Sequence, residues 1–100
     1  MSLDRVYYTY MVQVREGQYE TFRDYESKVL PLLPKHQGQL EIRLKVKKTG
    51  PHQPDEIHVV SFPSIGDMEA YRFDPERTRY AALFEKSVEF ATLIEGYKVS

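Results

Sequence analysis

One hundred residues with 41% hydrophobic and 13% aromatic side chains suffice for one hydrophobic core and exclude a disordered chain. Fourteen basic against fifteen acidic residues leave a formal charge of −1, so no global field draws nucleic acid or anionic lipid to the surface. Cysteine is absent, which excludes a disulfide framework and thiolate chemistry and agrees with a reducing, cytoplasmic setting. Residues 1–100 read as a single domain.

In chain order, VYYTYMVQV, residues 6 to 14, is dense in β-branched and aromatic side chains on both alternating faces, which predicts a strand buried on both sides. The stretch is far too short to span a bilayer, and it lacks the charged lead and small-residue cleavage site of a signal peptide. Arg15, Glu16 and Gly17 make a turn. From Gln18 to Gln37 the residues Tyr19, Phe22, Tyr25, Val29, Leu32 and Leu33 recur at three to four, one face of a helix. Pro31 and Pro34 remove amide donors there and predict a kink or 3₁₀ turn near Leu30, with Gly38 as the stop.

QLEIRLKVKK, residues 39 to 48, alternates strictly, which predicts a strand with Leu40, Ile42, Leu44 and Val46 on one dry face and Glu41, Arg43, Lys45 and Lys47 on the other. The Gly- and Pro-bearing stretch 49–55 is a loop, and EIHVVSF, residues 56 to 62, closes a hairpin. Pro63 ends that strand, and Ser64 with Asp67 resembles a capping box for a short helix from Ile65 to about Arg72. Asp74, Pro75 and Glu76 start another helix, with Tyr80, Leu83, Phe84, Ser87, Val88 and Ala91 on one stripe. ATLIEGYKV, residues 91 to 99, reads as the last strand. The order β-α-β-β-α-β predicts an α+β, ferredoxin-like fold: a four-stranded antiparallel sheet with helices on one face.

The second sheet face must then meet water, nucleic acid or another sheet. Whichever of the sets Tyr8, Tyr10, Val12 and Tyr7, Thr9, Met11 faces the helices, the other leaves aromatics outside. Each such side chain is worth about 1.5–3 kcal/mol when buried, and monomers seldom leave a contiguous patch of them wet. A covering partner is expected. An RNA partner is disfavoured, since EIHVVSF lacks the glycine-and-aromatic pattern of an RNA-binding strand and the charge balance offers little to phosphate.

Several residues together carry a family likeness. Tyr7 and Tyr8 open the first strand, Glu16-Gly17 precede a helix with Phe22 and Tyr25, and Gly38 precedes the second strand. Phe62-Pro63-Ser64 close the third, Asp74-Pro75-Glu76 lead to Tyr80, and Glu95-Gly96 lie near the end. This set resembles a family of small uncharacterised bacterial proteins in the dimeric α+β barrel superfamily. The superfamily also includes antibiotic-biosynthesis-type monooxygenases, heme-degrading monooxygenases, muconolactone isomerases and NIPSNAP proteins. The resemblance implies a homodimer whose open sheet faces pack into a barrel, with a small pocket in each half. The heme-degrading branch would place an asparagine near Tyr10, a tryptophan near Phe62 and a histidine near Arg72, and none of these matches.

His58 is the candidate catalytic residue, because a neutral imidazole in an enclosed site exchanges protons near neutral pH. If period-two alternation holds, Tyr8 and Tyr10 on the first strand and His58 and Phe62 on the third line one pocket. Arg72 is placed at its mouth and Arg43 on the second strand as ligand-binding cations. His36, His52 and His58 lack ligand spacing, so no metal and no cofactor are expected. Ser64 is explained as a cap, without the strained elbow of a nucleophile. The reading is a homodimer that binds a small, aromatic or carboxylated molecule as a cofactor-free oxygenase or isomerase, with a non-catalytic structural or ligand-sensing dimer as the alternative.

Overall fold

A computed structural model describes residues 5–99. The elements are β1 (Val6–Val14), α1 (Tyr19–Val29), a 3₁₀ segment (Leu30–His36), β2 (Gln39–Lys45), β3 (Glu56–Phe62), α2 (Ile65–Arg72), α3 (Pro75–Thr78), α4 (Ala81–Ser87) and β4 (Val88–Tyr97). The sheet runs β2-β3-β1-β4 with every neighbouring pair antiparallel. This is the ferredoxin-like α+β arrangement. Val6, Tyr8, Val12 and Phe62 bury the sheet's helix-facing side beneath Phe22, Val29, Leu33, Met68 and Tyr71. Among the described residues no helix is long and apolar enough to cross a membrane.

The punctuation works as its chemistry demands. The α helix gives way to 3₁₀ geometry at Leu30, where Pro31 and Pro34 withhold amide donors. Ser64 Oγ accepts the Asp67 amide at 3.1 Å, and the Asp74 carboxylate accepts the Glu76 amide at 2.9 Å ahead of Pro75.

Four local expectations differ from the structure. The left-handed residue that stops the 3₁₀ segment is Gln37, at φ 64°, rather than Gly38. Gly38 serves close packing instead: a Cβ there would lie 2.6 Å from Phe62 Cε1 and 3.1 Å from the Leu33 carbonyl. The helix expected from Asp74 onward breaks at Arg79–Tyr80 into α3 and α4. β4 begins at Val88, not Ala91, because Val88 pairs with Val14 directly after α4.

The fourth difference has the largest consequence. β2 ends at Lys45 and does not keep one dry face: Leu40 pairs with Val60 and Ile42 with Val59, so a bulge inserts one residue between them. A bulge changes parity. Ile42 and Leu44 therefore turn to the open face beside Val59 and Ile57, while Arg43 and Lys45 come opposite His58 and Glu56 on the helix side.

The open face is apolar. Ile42, Leu44, Phe90 and Ile94 are exposed to 45%, 46%, 65% and 51%, around half-buried Met11, Ile57 and Val59. Among the described residues no element covers it.

The close approach at Gly38 yields a test. Gly38→Ala forces the fully buried Phe62 ring and a backbone carbonyl to give way, and overpacking of this kind costs about 1–3 kcal/mol. Denaturant unfolding is expected to show a lower midpoint with unchanged slope, and an unchanged midpoint would contradict the packing.

Candidate functional site

Between the helices and the sheet lies a cavity of about 290 Å³. Members of two separate core clusters border it, Tyr8, Phe62, Met68 and Tyr71 from one, Val12 and Phe22 from the other. Tyr10 pairs with His58 across β1 and β3, Tyr8 with Val60 and Val6 with Phe62. Strand alternation thus brings Tyr8, Tyr10, His58 and Phe62 to the same side, and all four line the cavity. Tyr8 is anchored by its hydroxyl, which donates to Glu95 Oε1 at 3.0 Å, and its ring meets Phe62 edge-on. Arg72 is exposed at the cavity's border, its guanidinium 5.6 Å from the Phe73 ring centre. Arg43 does not line the cavity; it lies behind it, bound to Glu56.

Glu56 is the centre of a buried polar cluster. It is 2% exposed, and Arg43 Nε donates to its Oε1 at 2.7 Å while Arg43 Nη2 donates to Oε2 at 3.3 Å. The Tyr19 hydroxyl donates to the same carboxylate from α1. Burial alone would push this carboxyl upward, but hydrogen bonds from Arg43, His58 and Tyr19 outweigh it and hold the group at about 2. Glu56 is therefore ionised at neutral pH.

That charge state sets the histidine tautomer. His58 Nε2 lies 2.7 Å from Glu56 Oε1, and an ionised carboxylate can only accept. The proton must sit on Nε2, which leaves the Nδ1 lone pair free. Burial pushes the His58 pKa below its ordinary value despite Glu56, so the ring is neutral at pH 7. Phe22 stacks on it at a centroid distance of 6.1 Å and fixes its plane.

On the other side stands Glu26 of α1, with Oε2 3.7 Å from His58 Nδ1. Burial pushes Glu26 up to about 7, with Glu56 adding to the rise and Arg43 and Arg77 opposing it. A carboxyl that exchanges its proton near neutrality therefore faces a free imidazole lone pair, and both border the cavity. Arg77 of α3 borders it too. Among the described residues no group of three His, Asp or Glu side chains converges as metal ligands.

Glu26, Glu56, Tyr19 and Arg77 are not among the expected site residues, since Tyr19 reads as part of the apolar stripe of α1 and Arg77 as surface charge at the helix break. Two of them left signals. Glu56 is two residues from His58 on one strand and must share its face. Glu26 is four residues from Phe22 and three from Val29, inside the buried stripe of α1.

No family model matches the chain, and no curated protein sequence matches it. Solved structures do. A dimeric protein of unknown function and ferredoxin-like fold from Bacteroides fragilis superposes with TM-score 0.75 at 12% identity, covering 94% of this chain and 96% of its own. A DABB family protein with a ferredoxin-like fold from Mesorhizobium loti gives 0.75 at 12% identity, covering 97% and 99%. A NIPSNAP family protein of unknown function from Agrobacterium tumefaciens gives 0.72 at 17% identity, covering 98% and 91%. Identities this low carry the fold and nothing finer. The chain has the ferredoxin-like fold of these DABB and NIPSNAP proteins.

Proposed function

We propose that the protein is a homodimer with a small-molecule site in each subunit, where His58 and Glu26 catalyse a cofactor-free proton shift in a small, partly aromatic acid. The observation that carries the reading is the geometry of the buried His58 ring, hydrogen-bonded to Glu56 through Nε2 and facing Glu26 through Nδ1. Tyr8, Tyr10 and Phe62 form aromatic wall, and Arg72 at the border draws an anion inward. Arg43 is a positioning residue that acts through Glu56. The lack of cysteine supports a cytoplasmic setting.

The chemistry is an isomerisation. His58 Nδ1 removes a proton from the carbon next to a carbonyl, and the electron pair of the broken C–H bond becomes the enolate. The Glu26 carboxylic acid delivers its proton to the far end of the enol system. Proton return from the imidazolium to the Glu26 carboxylate restores both groups, so no oxidant or reductant is required.

Dimerisation follows from the open sheet face, whose exposed Ile42, Leu44, Phe90 and Ile94 make an apolar patch that a second copy would cover. The dimeric Bacteroides relative supports this assembly. Sedimentation at about 10 μM, well above the Kd of a stable dimer, is expected to show a dimer that Ile94→Lys dissociates. A wild-type monomer at that concentration would contradict it.

The catalytic reading is tested by solvent-deuterium exchange into phenylpyruvate, followed by proton NMR. Wild type is expected to exceed buffer, and His58→Ala to lose roughly 10²–10⁴-fold. The rate should be highest where His58 is neutral and Glu26 protonated, and should fall as pH rises through about 7. Binding without exchange would instead mark a ligand-sensing dimer, and equal rates in wild type and His58→Ala would refute the role of the histidine.

A further inference from the structure

Arg77 enters the cavity from α3 and is only partly paired. Its Nη1 donates to the Arg72 carbonyl at 3.2 Å, and its guanidinium lies 4.9 Å from the centre of the Tyr71 ring. Its Nε is buried with no hydrogen-bond partner, and among the described residues no carboxylate lies within ion-pair distance. Arginine does not shed its proton in a protein, so the charge stays. An unsatisfied buried donor on a fixed cation is costly unless something fills it.

Among the described residues the surroundings supply no paired counter-charge. The groups that act on Arg77 are the phenols of Tyr25, Tyr71, which also shares a hydrogen bond with it, and Tyr10, while Glu26, raised to about 7 by burial, borders the same cavity without forming an ion pair to it. Among the described residues the Tyr10 and Tyr25 hydroxyls make no hydrogen bond, although unlike Arg77 Nε they are not buried orphans. Arg77, Tyr10 and Tyr25 all line the same cavity, so donors from three side chains are available to an acceptor bound there. Arg72 and Arg43 do not compete for this role: one is exposed to solvent and the other is committed to Glu56.

Size and charge narrow the ligand. About 290 Å³ is at the lower end of the roughly 300–1,000 Å³ typical of small-molecule sites, room for one ring with a short acidic arm. A single guanidinium balances one negative charge, which favours a carboxylate over a phosphate dianion. The planar fork of arginine matches a carboxylate in two parallel hydrogen bonds. We infer that Arg77 is the carboxylate receptor of the cavity and that the ligand is a single-ring monocarboxylate, its acid group on Arg77 with the Tyr10 and Tyr25 hydroxyls as further donors. This rests on the proposed function in assuming that the cavity binds a small molecule, and it adds the anchor and the charge of the ligand.

Isothermal titration with benzoate and phenylacetate against benzamide and phenylacetamide tests it. Wild type is expected to prefer each acid over its amide by roughly tenfold or more, the scale of one charge-assisted pair. Arg77→Gln should abolish that preference, and Arg77→Lys, which keeps the charge without the fork, should weaken acid binding while leaving the amides unchanged. The acid-to-amide ratio on wild type needs no variant, so a poorly folding substitution does not remove the test. Equal binding of acid and amide overturns the assignment of Arg77 but leaves the cavity reading intact. Loss of preference in Arg72→Ala with retention in Arg77→Gln also overturns it, by moving the receptor to the border. No binding of any of the four compounds overturns both.

Discussion

A carboxylate taken out of water is the constraint around which this small molecule is arranged. Removing Glu56 from solvent costs several kcal/mol, and three elements offset it: Arg43 from β2, His58 from its own strand and Tyr19 from α1. Arg43 reaches it only because of the bulge between Leu40 and Ile42. Without that extra residue the guanidinium would point to the open face, and Glu56 would keep no cation. One backbone irregularity thus does two things, supplying the buried ion pair and sending Ile42 and Leu44 outward to make the open face apolar.

The same interaction determines the acid–base state of the cavity. Ionised Glu56 claims the Nε2 proton of His58, and the free lone pair is left on Nδ1, opposite Glu26. The two carboxyls depart from ordinary behaviour in opposite directions. Glu56, depressed from 4.5 to about 2, contributes stability above pH 4.5 that is lost as pH falls through about 2. Glu26, raised from 4.5 to about 7, contributes stability at low pH that is lost as pH rises through about 7. The two carboxyls are thereby pushed apart around one imidazole.

The architecture was legible because it rests on local rules. Period-two alternation and a proline stop gave β1 and β3, the cap at Ser64 gave the start of α2, and the prolines at 31 and 34 gave the 3₁₀ geometry after α1. The errors arose where tertiary packing overrides pattern. QLEIRLKVKK alternates so cleanly that nothing in it announces a bulge, and only the competing needs of Glu56 and the open face explain why the strand changes parity. β4 begins early because Val88 is drawn into the pair with Val14, although its spacing also suits the helical stripe. The lining of the cavity was legible in part. His58, Tyr8, Tyr10 and Phe62 share a face by alternation, but the partners that define the histidine's state come from α1 and β2, and sequence spacing does not report contacts between elements.

The acid–base state of the cavity turns on the tautomer of one ring, and long-range proton–nitrogen correlation NMR of the histidine side chains at pH 7 reads it directly. His58 is expected to show a protonated, pyrrole-type Nε2 and an unprotonated, pyridine-type Nδ1, and Glu56→Gln should remove that fixed assignment. A proton on Nδ1 with Nε2 bare, or a fully charged imidazolium at pH 7, would contradict the account.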